Sequence, residues 1–478
     1  MDWSAILKSL PAREAVVLVS GLMLAACACV RAYRRKSTET HKRGALLRDG
    51  AGSQRCGARL KKSNSGLLTL AGIAVPFPDE SKHFKLIGTT GTGKSTAIRE
   101  LLDTALARGD RAVIADPDGG YVACFFNRYR GDVVLNPFER HSVKWDVFSE
   151  INNSYDVEQL ASGLIPSSDD ASANEWRSYA RTFFCAVVRR CRAGNRRDCA
   201  ELWRLLAVAP TEELQPIVAG TPAQPFLDPE NARMFGSIRS VTVSAIAAFE
   251  YVQAQRAAPF SVREWVRTRS ATGILFIPYK AGQIAALKSM IATWMRLAIF
   301  EAMSGEENRD QRLWFVIDEL DALGAIDGLK DALTRLRKFG GRCILGFQSI
   351  AQVSSTYGAG DAQTIVENCG NTLILRCSGS ENGGTSQFAS RLIGEREILR
   401  RQVSRGNDRE AAFSARGARR SKNTSEQHVT EAAVMPSQIE QLPDLSGYLK
   451  SASSRVWLKV SFHPDRHSRF RLSRLHVR

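Results

Sequence analysis

The sequence predicts an α/β fold: a mostly parallel sheet flanked by helices, with an inserted all-α domain and a short N-terminal membrane anchor. Three observations predict it. A strand, a glycine-rich loop, a helix and a second strand succeed one another over residues 84–115, the order of a βαβ unit. Residues 151–258 show helical periodicity and no convincing strand. From residue 273 to residue 376, strands and helices alternate again.

The chain has 478 residues, room for about three domains or one elaborated core with an insertion. Its 44% apolar and 24% charged residues exclude disorder, collagen and a multi-span membrane protein for the bulk of the chain. The net charge of +17 favours a polyanion or an anionic membrane surface as partner and says nothing about fold. The surplus is local. Residues 31–62 carry eleven basic residues against two acidic, 177–204 eight against two, 376–422 eleven against five, and 463–478 five against one. Each basic window has a plainer reading as solvated surface, and 31–62 also one as a lipid-facing patch.

The elements follow in chain order. Residues 15–30 are uncharged and, as a helix, span about 24 Å, short of the roughly 30 Å hydrocarbon core. Arg31 can snorkel and Tyr33 can sit at the interface, which gives an anchor helix of about 15–33 within residues 1–36. Arg31, Arg34, Arg35 and Lys36 place the following chain in the cytoplasm. An exported precursor, with Leu24-Ala25-Ala26-Cys27 as a lipoprotein-like box, and a buried core helix are the rival readings. Residues 37–81 read as a basic stalk or linker with an edge strand over 72–75. Strands are expected over 84–88 and 111–115. Between them lies a helix over 97–108, with Ile98, Leu101, Leu102, Ala105 and Leu106 on one side and Gly109 as its stop.

In the block 151–258, helices are expected over 157–164, 175–191, 200–207, 211–218 and 232–254. Strands over 273–277, 312–317, 343–347 and 372–376 then alternate with helices over 284–303, 328–339 and 362–369. Residues 400–430 are polar, Arg-rich and expected to be mobile. A last strand spans 456–462, and 463–478 form a basic tail. The ten cysteines include no C-x-x-C pair. They read as scattered core thiols in a reducing compartment.

Gly88-Thr89-Thr90-Gly91-Thr92-Gly93-Lys94-Ser95 fits G-x-x-x-x-G-K-[ST] and sits between an expected strand and an expected helix. The glycines aim backbone N–H groups at phosphate oxygens, Lys94 pairs with β- and γ-phosphates, and Ser95, followed by Thr96, ligates Mg²⁺. ATP and Mg²⁺ are therefore the expected cofactors. The nucleotide-binding domain comprises residues 82–150 and 259–462. Asp318-Glu319 ends an apolar strand, so Asp318 is expected in the metal shell and Glu319 on the attacking water. Gln348 ends the next strand, where it senses the γ-phosphate or caps the strand. Arg337 is a solvated charge or, in a ring, an arginine finger for a neighbour. Residues 116–121 (Asp-Pro-Asp-Gly-Gly-Tyr) either line the same site or hold the following loop.

These motifs, with Leu135-Asn136-Pro137-Phe138, Trp145-Asp146, residues 335–341, Gly346-Phe347-Gln348-Ser349 and residues 442–449, come in an order that resembles the type IV secretion coupling proteins of the TraD/TrwB kind. The resemblance covers roughly residues 82–462. It implies a RecA-like P-loop NTPase core interrupted by an all-α domain. It also implies a homo-hexamer at the inner membrane, and ATP-driven handling of DNA together with a relaxase or relaxosome at a type IV secretion channel. By motif it assigns phosphate and Mg²⁺ to Lys94 and Ser95, metal and water to Asp318 and Glu319, sensing to Gln348 and the trans finger to Arg337. The sequence departs from the family pattern in its single short apolar segment, where two spans are common, and in its basic rather than acidic C-terminal stretch.

The leading expectation is a single-pass, membrane-anchored ATPase with its bulk in the cytoplasm, coupling DNA without sequence preference to the channel. Alternatives are an FtsK-like translocase or an effector-delivering ATPase. From another class comes a docking adaptor with a structural nucleotide.

Overall fold

The structure, a computed structural model, describes residues 39–51, 66–168, 170–194, 197–268, 272–381, 383–407 and 420–462. The expected anchor helix, most of the basic window 31–62 and the tail 463–478 lie outside the described residues. Among the described residues no helix is long and apolar enough to cross a membrane. The chain divides into two compact units, Leu47–Leu392 with Met435–Arg478, and Met1–Leu46 with Ile393–Val434.

The larger unit is built on a ten-stranded sheet, whose first strand begins at the unit boundary. In chain order the strands are β1 (Leu46–Asp49), β2 (Phe84–Ile87), β3 (Arg111–Pro117), β4 (Val133–Val134), β5 (Ile274–Tyr279), β6 (Leu313–Ile317), β7 (Gly341–Phe347), β8 (Asn371–Ile374), β9 (Ser446–Lys450) and β10 (Val456–Ser461). They lie in the order β1-β10-β9-β8-β2-β7-β6-β3-β5-β4. From β8 to β4 every pairing is parallel, and β9 and β10 add antiparallel edges. A parallel strand is covered on both faces, which is why every residue of β2, β6 and β7 is buried and all are apolar but Lys85 in β2 and Arg342 in β7.

Helix α1 (Lys94–Ala107) lays Ala97, Ile98, Leu101, Leu102 and Ala105 on Phe84, Leu86, Ile114, Trp314 and Val316. Burying a side chain of leucine size contributes roughly 1.5–3 kcal/mol. The register sets Ile87 beside Phe347, Leu345 beside Ile317, and Ile317 beside Ala115. The C-terminal ends of β2, β7, β6 and β3 therefore open on one edge, where ligands of open α/β sheets bind.

The helical block leaves and rejoins this sheet at one neck. Lys144–Trp145 pairs in parallel with Pro259–Phe260. The buried Glu150 carboxylate there accepts from Trp145 Nε1 (2.9 Å) and from the Val262 and Arg263 amides (2.6 and 3.1 Å). One side chain thus ties the outgoing chain to the returning one. Between them run helices Asp156–Leu164, Ala171–Ala193, Cys199–Ala207, Thr211–Val218, Ala232–Ala245 and Phe249–Ala254.

Three expectations need correction. The single helix expected over 232–254 is two helices. Ile246 and Phe249 are buried on either side of the break, and Phe249 turns edge-on to Trp145 at 5.7 Å, so the apolar pattern runs through unchanged. The helix expected over 328–339 tightens to a 3₁₀ turn at Leu336–Phe339. Over the described part of 400–430, where irregular chain is expected, the backbone is regular strand. Glu395–Asn407 and Arg420–Ala432 form a long antiparallel hairpin in the smaller unit, with Glu39–Gly44 as its third strand. A strand ladder rests on backbone groups, which side-chain polarity does not report.

Candidate nucleotide site

The loop after β2 curls into the N-terminus of α1. Gly93 holds φ 114°, a conformation that side chains rarely adopt, and a Cβ there would stand 2.8 Å from Leu445 Cδ2, so glycine is favoured. No side chain caps α1 among the described residues, which leaves its first amides for a ligand. The loop is gripped from behind. The Thr89 amide donates to the Arg376 carbonyl at 2.9 Å, and the Leu445 amide to the Thr92 carbonyl at 3.0 Å. Leu445 adopts a left-handed φ of 58° to do so.

Lys94 is buried, and its Nζ donates to the carbonyls of Gly88 (2.6 Å) and Thr89 (3.2 Å). Burial lowers its pKa, against the pull of Asp318 and Glu319. One helix residue on, Ser95 Oγ donates to Asp318 Oδ2 at 2.6 Å. Asp318 Oδ1 is buried and has no hydrogen-bond partner among the described residues. A hydroxyl and an orphaned carboxylate oxygen side by side are hard donors suited to Mg²⁺.

Glu319 is the next residue. Burial, then the Asp318 and Asp321 charges, push its carboxyl pKa up, which suits a proton acceptor. Gln348 donates from Nε2 to Glu319 Oε1 at 3.2 Å and accepts from Thr90 Oγ1 at 2.9 Å. Asp116, at the end of β3, is fully buried. Its carboxylate accepts from the amides of Tyr121 (3.0 Å) and Val122 (2.7 Å). Burial outweighs these bonds and lifts its pKa to about 6. Tyr121 Oη in turn donates to Asp318 Oδ2 at 2.8 Å. The stretch 116–121 therefore both holds its own loop and reaches the site.

Thr90, Gly91, Gly93, Lys94, Ser95 and Thr96 line one cleft together with Asp318, Glu319 and Gln348. Gly88, Thr89 and Thr92 lie behind it, where the Thr92 hydroxyl donates to the Thr89 carbonyl at 2.7 Å. Arg337 is not brought there. It is exposed in the turn before β7, whereas Gln348 follows that strand's other end, roughly 20 Å away along seven residues. Arg99, Tyr121 and Leu445 also line the cleft and were not assigned from sequence. Tyr121 ends the motif 116–121 and Leu445 lies in the motif 442–449, signals that could have found them, while nothing in the sequence marks Arg99.

A family model described as the type IV secretion-system coupling protein DNA-binding domain matches residues 67–463. The coupling protein TraD of Escherichia coli K12 is 31% identical over 387 residues, which cover 80% of this chain and 52% of TraD. The chain thus spans about half the length of that relative. The plasmid coupling protein TrwB in complex with the ATP analogue ADPNP superposes with a TM-score of 0.76 at 29% identity, over 89% of this chain and 94% of that one. TrwB with ADP and Mg²⁺ gives 0.76 at 30% identity, over 88% and 94%.

Proposed function

Because the chain belongs to the type IV secretion-system coupling proteins, we propose that it is a membrane-anchored ATPase that drives DNA, or a relaxase–DNA complex, into a type IV secretion channel. One observation carries this reading. The phosphate loop, Gln348, the Asp318-Glu319 pair and Asp116 meet at the ends of four neighbouring parallel strands. The nucleotide complexes of TrwB support ATP and Mg²⁺ as the ligands.

In this mechanism the loop amides and Lys94 bind the phosphates, and Ser95 and Asp318 hold Mg²⁺, which offsets the developing phosphate charge. Glu319 accepts a proton from the attacking water, giving ADP and phosphate. Gln348, bonded to Thr90 on one side and Glu319 on the other, links the loop's state to that carboxylate. Arg337, far from its own cleft, serves a neighbour's nucleotide in a homo-hexamer. Residues 151–258 form the all-α domain, 82–150 with 259–462 the nucleotide domain, 37–81 a stalk and 463–478 a basic tail. The apolar segment of about 15–33 provides the inner-membrane anchor.

The test is ATP hydrolysis by the chain from residue 37, with and without DNA at low salt and at concentrations that allow assembly. Stimulation by single- or double-stranded DNA is expected. No stimulation by either overturns DNA pumping and points to protein cargo. DNA transfer that persists in Glu319→Gln, once hydrolysis is gone, leaves only the adaptor.

A further inference from the structure

Asp318 Oδ2 receives two donors, Ser95 Oγ at 2.6 Å and Tyr121 Oη at 2.8 Å, whereas Oδ1 receives none among the described residues. The terminal torsion of an aspartate is soft and nearly two-fold, so a single donor would let the two oxygens trade places. Two donors arriving on one oxygen hold the carboxylate plane and keep Oδ1 turned the other way.

Tyr121 is itself held in place. It is 1% exposed, in the first turn of the short helix Gly120–Phe125. Two successive left-handed residues, Asp118 (φ 58°) and Gly119 (φ 70°), bend the chain into that helix. The buried Asp116 carboxylate then takes the Tyr121 and Val122 amides. The Arg99 guanidinium lies 5.7 Å over the tyrosine ring. Asp116 and Asp318 end the adjacent strands β3 and β6, whose preceding residues Ala115 and Ile317 are in register. The chain Asp116–Tyr121–Asp318 thus runs from one strand end to the next.

We propose that Tyr121 is a positioning residue for the metal-side carboxylate: its hydroxyl, anchored through Asp116, keeps Asp318 Oδ1 presented to the Mg²⁺ that accompanies the nucleotide. The inference rests on the nucleotide reading above. Ser95 holds the same oxygen from the phosphate-loop side, but its lone pairs are wanted by the metal. Tyr121 has no such second duty. A phenylalanine would fill the core equally well, so the hydroxyl is the part that matters.

The test uses the full chain and a fluorescent ADP analogue, titrated with excess Mg²⁺ and again with EDTA. In Tyr121→Phe the EDTA affinity is expected to stay within about twofold of wild type. The gain in affinity from Mg²⁺ is expected to shrink about 10- to 100-fold, the usual cost of losing an outer partner of a metal ligand. In an Asp318→Ala background, Tyr121→Phe should change the Mg²⁺ gain no further. An undiminished gain, an equal loss with and without Mg²⁺, an undiminished effect in the Asp318→Ala background, or loss of folding from this hydroxyl alone each overturns the proposal. Failure of the wild type to bind ADP overturns the nucleotide reading and this inference together. Normal binding without a Tyr121 effect overturns the inference alone.

Discussion

Gln348 donates to Glu319 Oε1 at 3.2 Å while it accepts from the Thr90 hydroxyl at 2.9 Å. The amide group therefore joins the phosphate loop to the carboxylate on which hydrolysis is proposed to depend. Glu319→Gln keeps the size and hydrogen bonding of the side chain but not its basicity. Nucleotide affinity should hold, while phosphate release slows by about 10²–10⁴-fold, the usual worth of a general base. Gln348→Ala should also slow release, by on the order of tenfold or more, with affinity preserved. Loss of affinity in either variant, measured with a fluorescent nucleotide, would make these residues binders instead.

Lys94 is already desolvated and aimed into the loop by the Gly88 and Thr89 carbonyls. Little reorganisation then separates it from a phosphate. Lys94→Ala removes a charge-assisted bond worth about 1.5–3 kcal/mol, so nucleotide affinity should fall roughly 10- to 100-fold. Equilibrium titration checks this, and an unchanged affinity would exclude the loop as the phosphate site.

The contact between Gly93 and Leu445 couples the loop to the strand β9 region. Gly93→Ala combines a strained φ with a 2.8 Å clash and should cost about 1–3 kcal/mol, along with nucleotide affinity. Adding Leu445→Ala removes the clash but not the φ strain, so recovery should be partial. Full recovery of the melting temperature would show that backbone strain counts for little here.

The parallel core was legible because its strands are buried on both faces and its helices are not. Leu313–Ile317 stands out as an apolar run, and the glycine loop marks Phe84–Ile87, apolar but for Lys85, as the strand that leads into a phosphate site. Partners that act through the backbone left no such mark. The Arg376 carbonyl and the Leu445 amide hold the loop whatever their side chains are. A count of charges likewise does not show which side chains are already engaged. Of the arginines in window 177–204, Arg177, Arg181 and Arg192 donate to backbone carbonyls, Arg189 pairs with Glu158, and Arg204 with Glu201 and Glu213. Much of that window is bound within the protein, leaving exposed Arg190 and Arg197 as better candidates for DNA contact.

His83 gives a pH test independent of the nucleotide. It is 2% exposed, its Nδ1 accepts from the Cys343 amide at 3.0 Å, and its Nε2 lies 2.9 Å from the Leu333 carbonyl, to which it donates. Both nitrogens are thus satisfied only in the neutral ring. Burial lowers its pKa to about 4; the Leu333 carbonyl opposes this, and Arg342 and Arg337 add to it. In the unfolded chain the ring titrates near 6.5. Between those values the unfolded state binds more protons than the folded one, so stability is full above pH 6.5 and drains away as pH falls toward 4. At pH 5 the loss attributable to this one ring is about 2 kcal/mol. His83→Gln cannot take up that proton, so it should lose less stability than wild type between pH 7 and pH 5, by about that amount. Denaturant unfolding of both proteins at the two pH values measures the difference. If the two proteins lose the same stability over that interval, the buried neutral imidazole is not what the acid attacks.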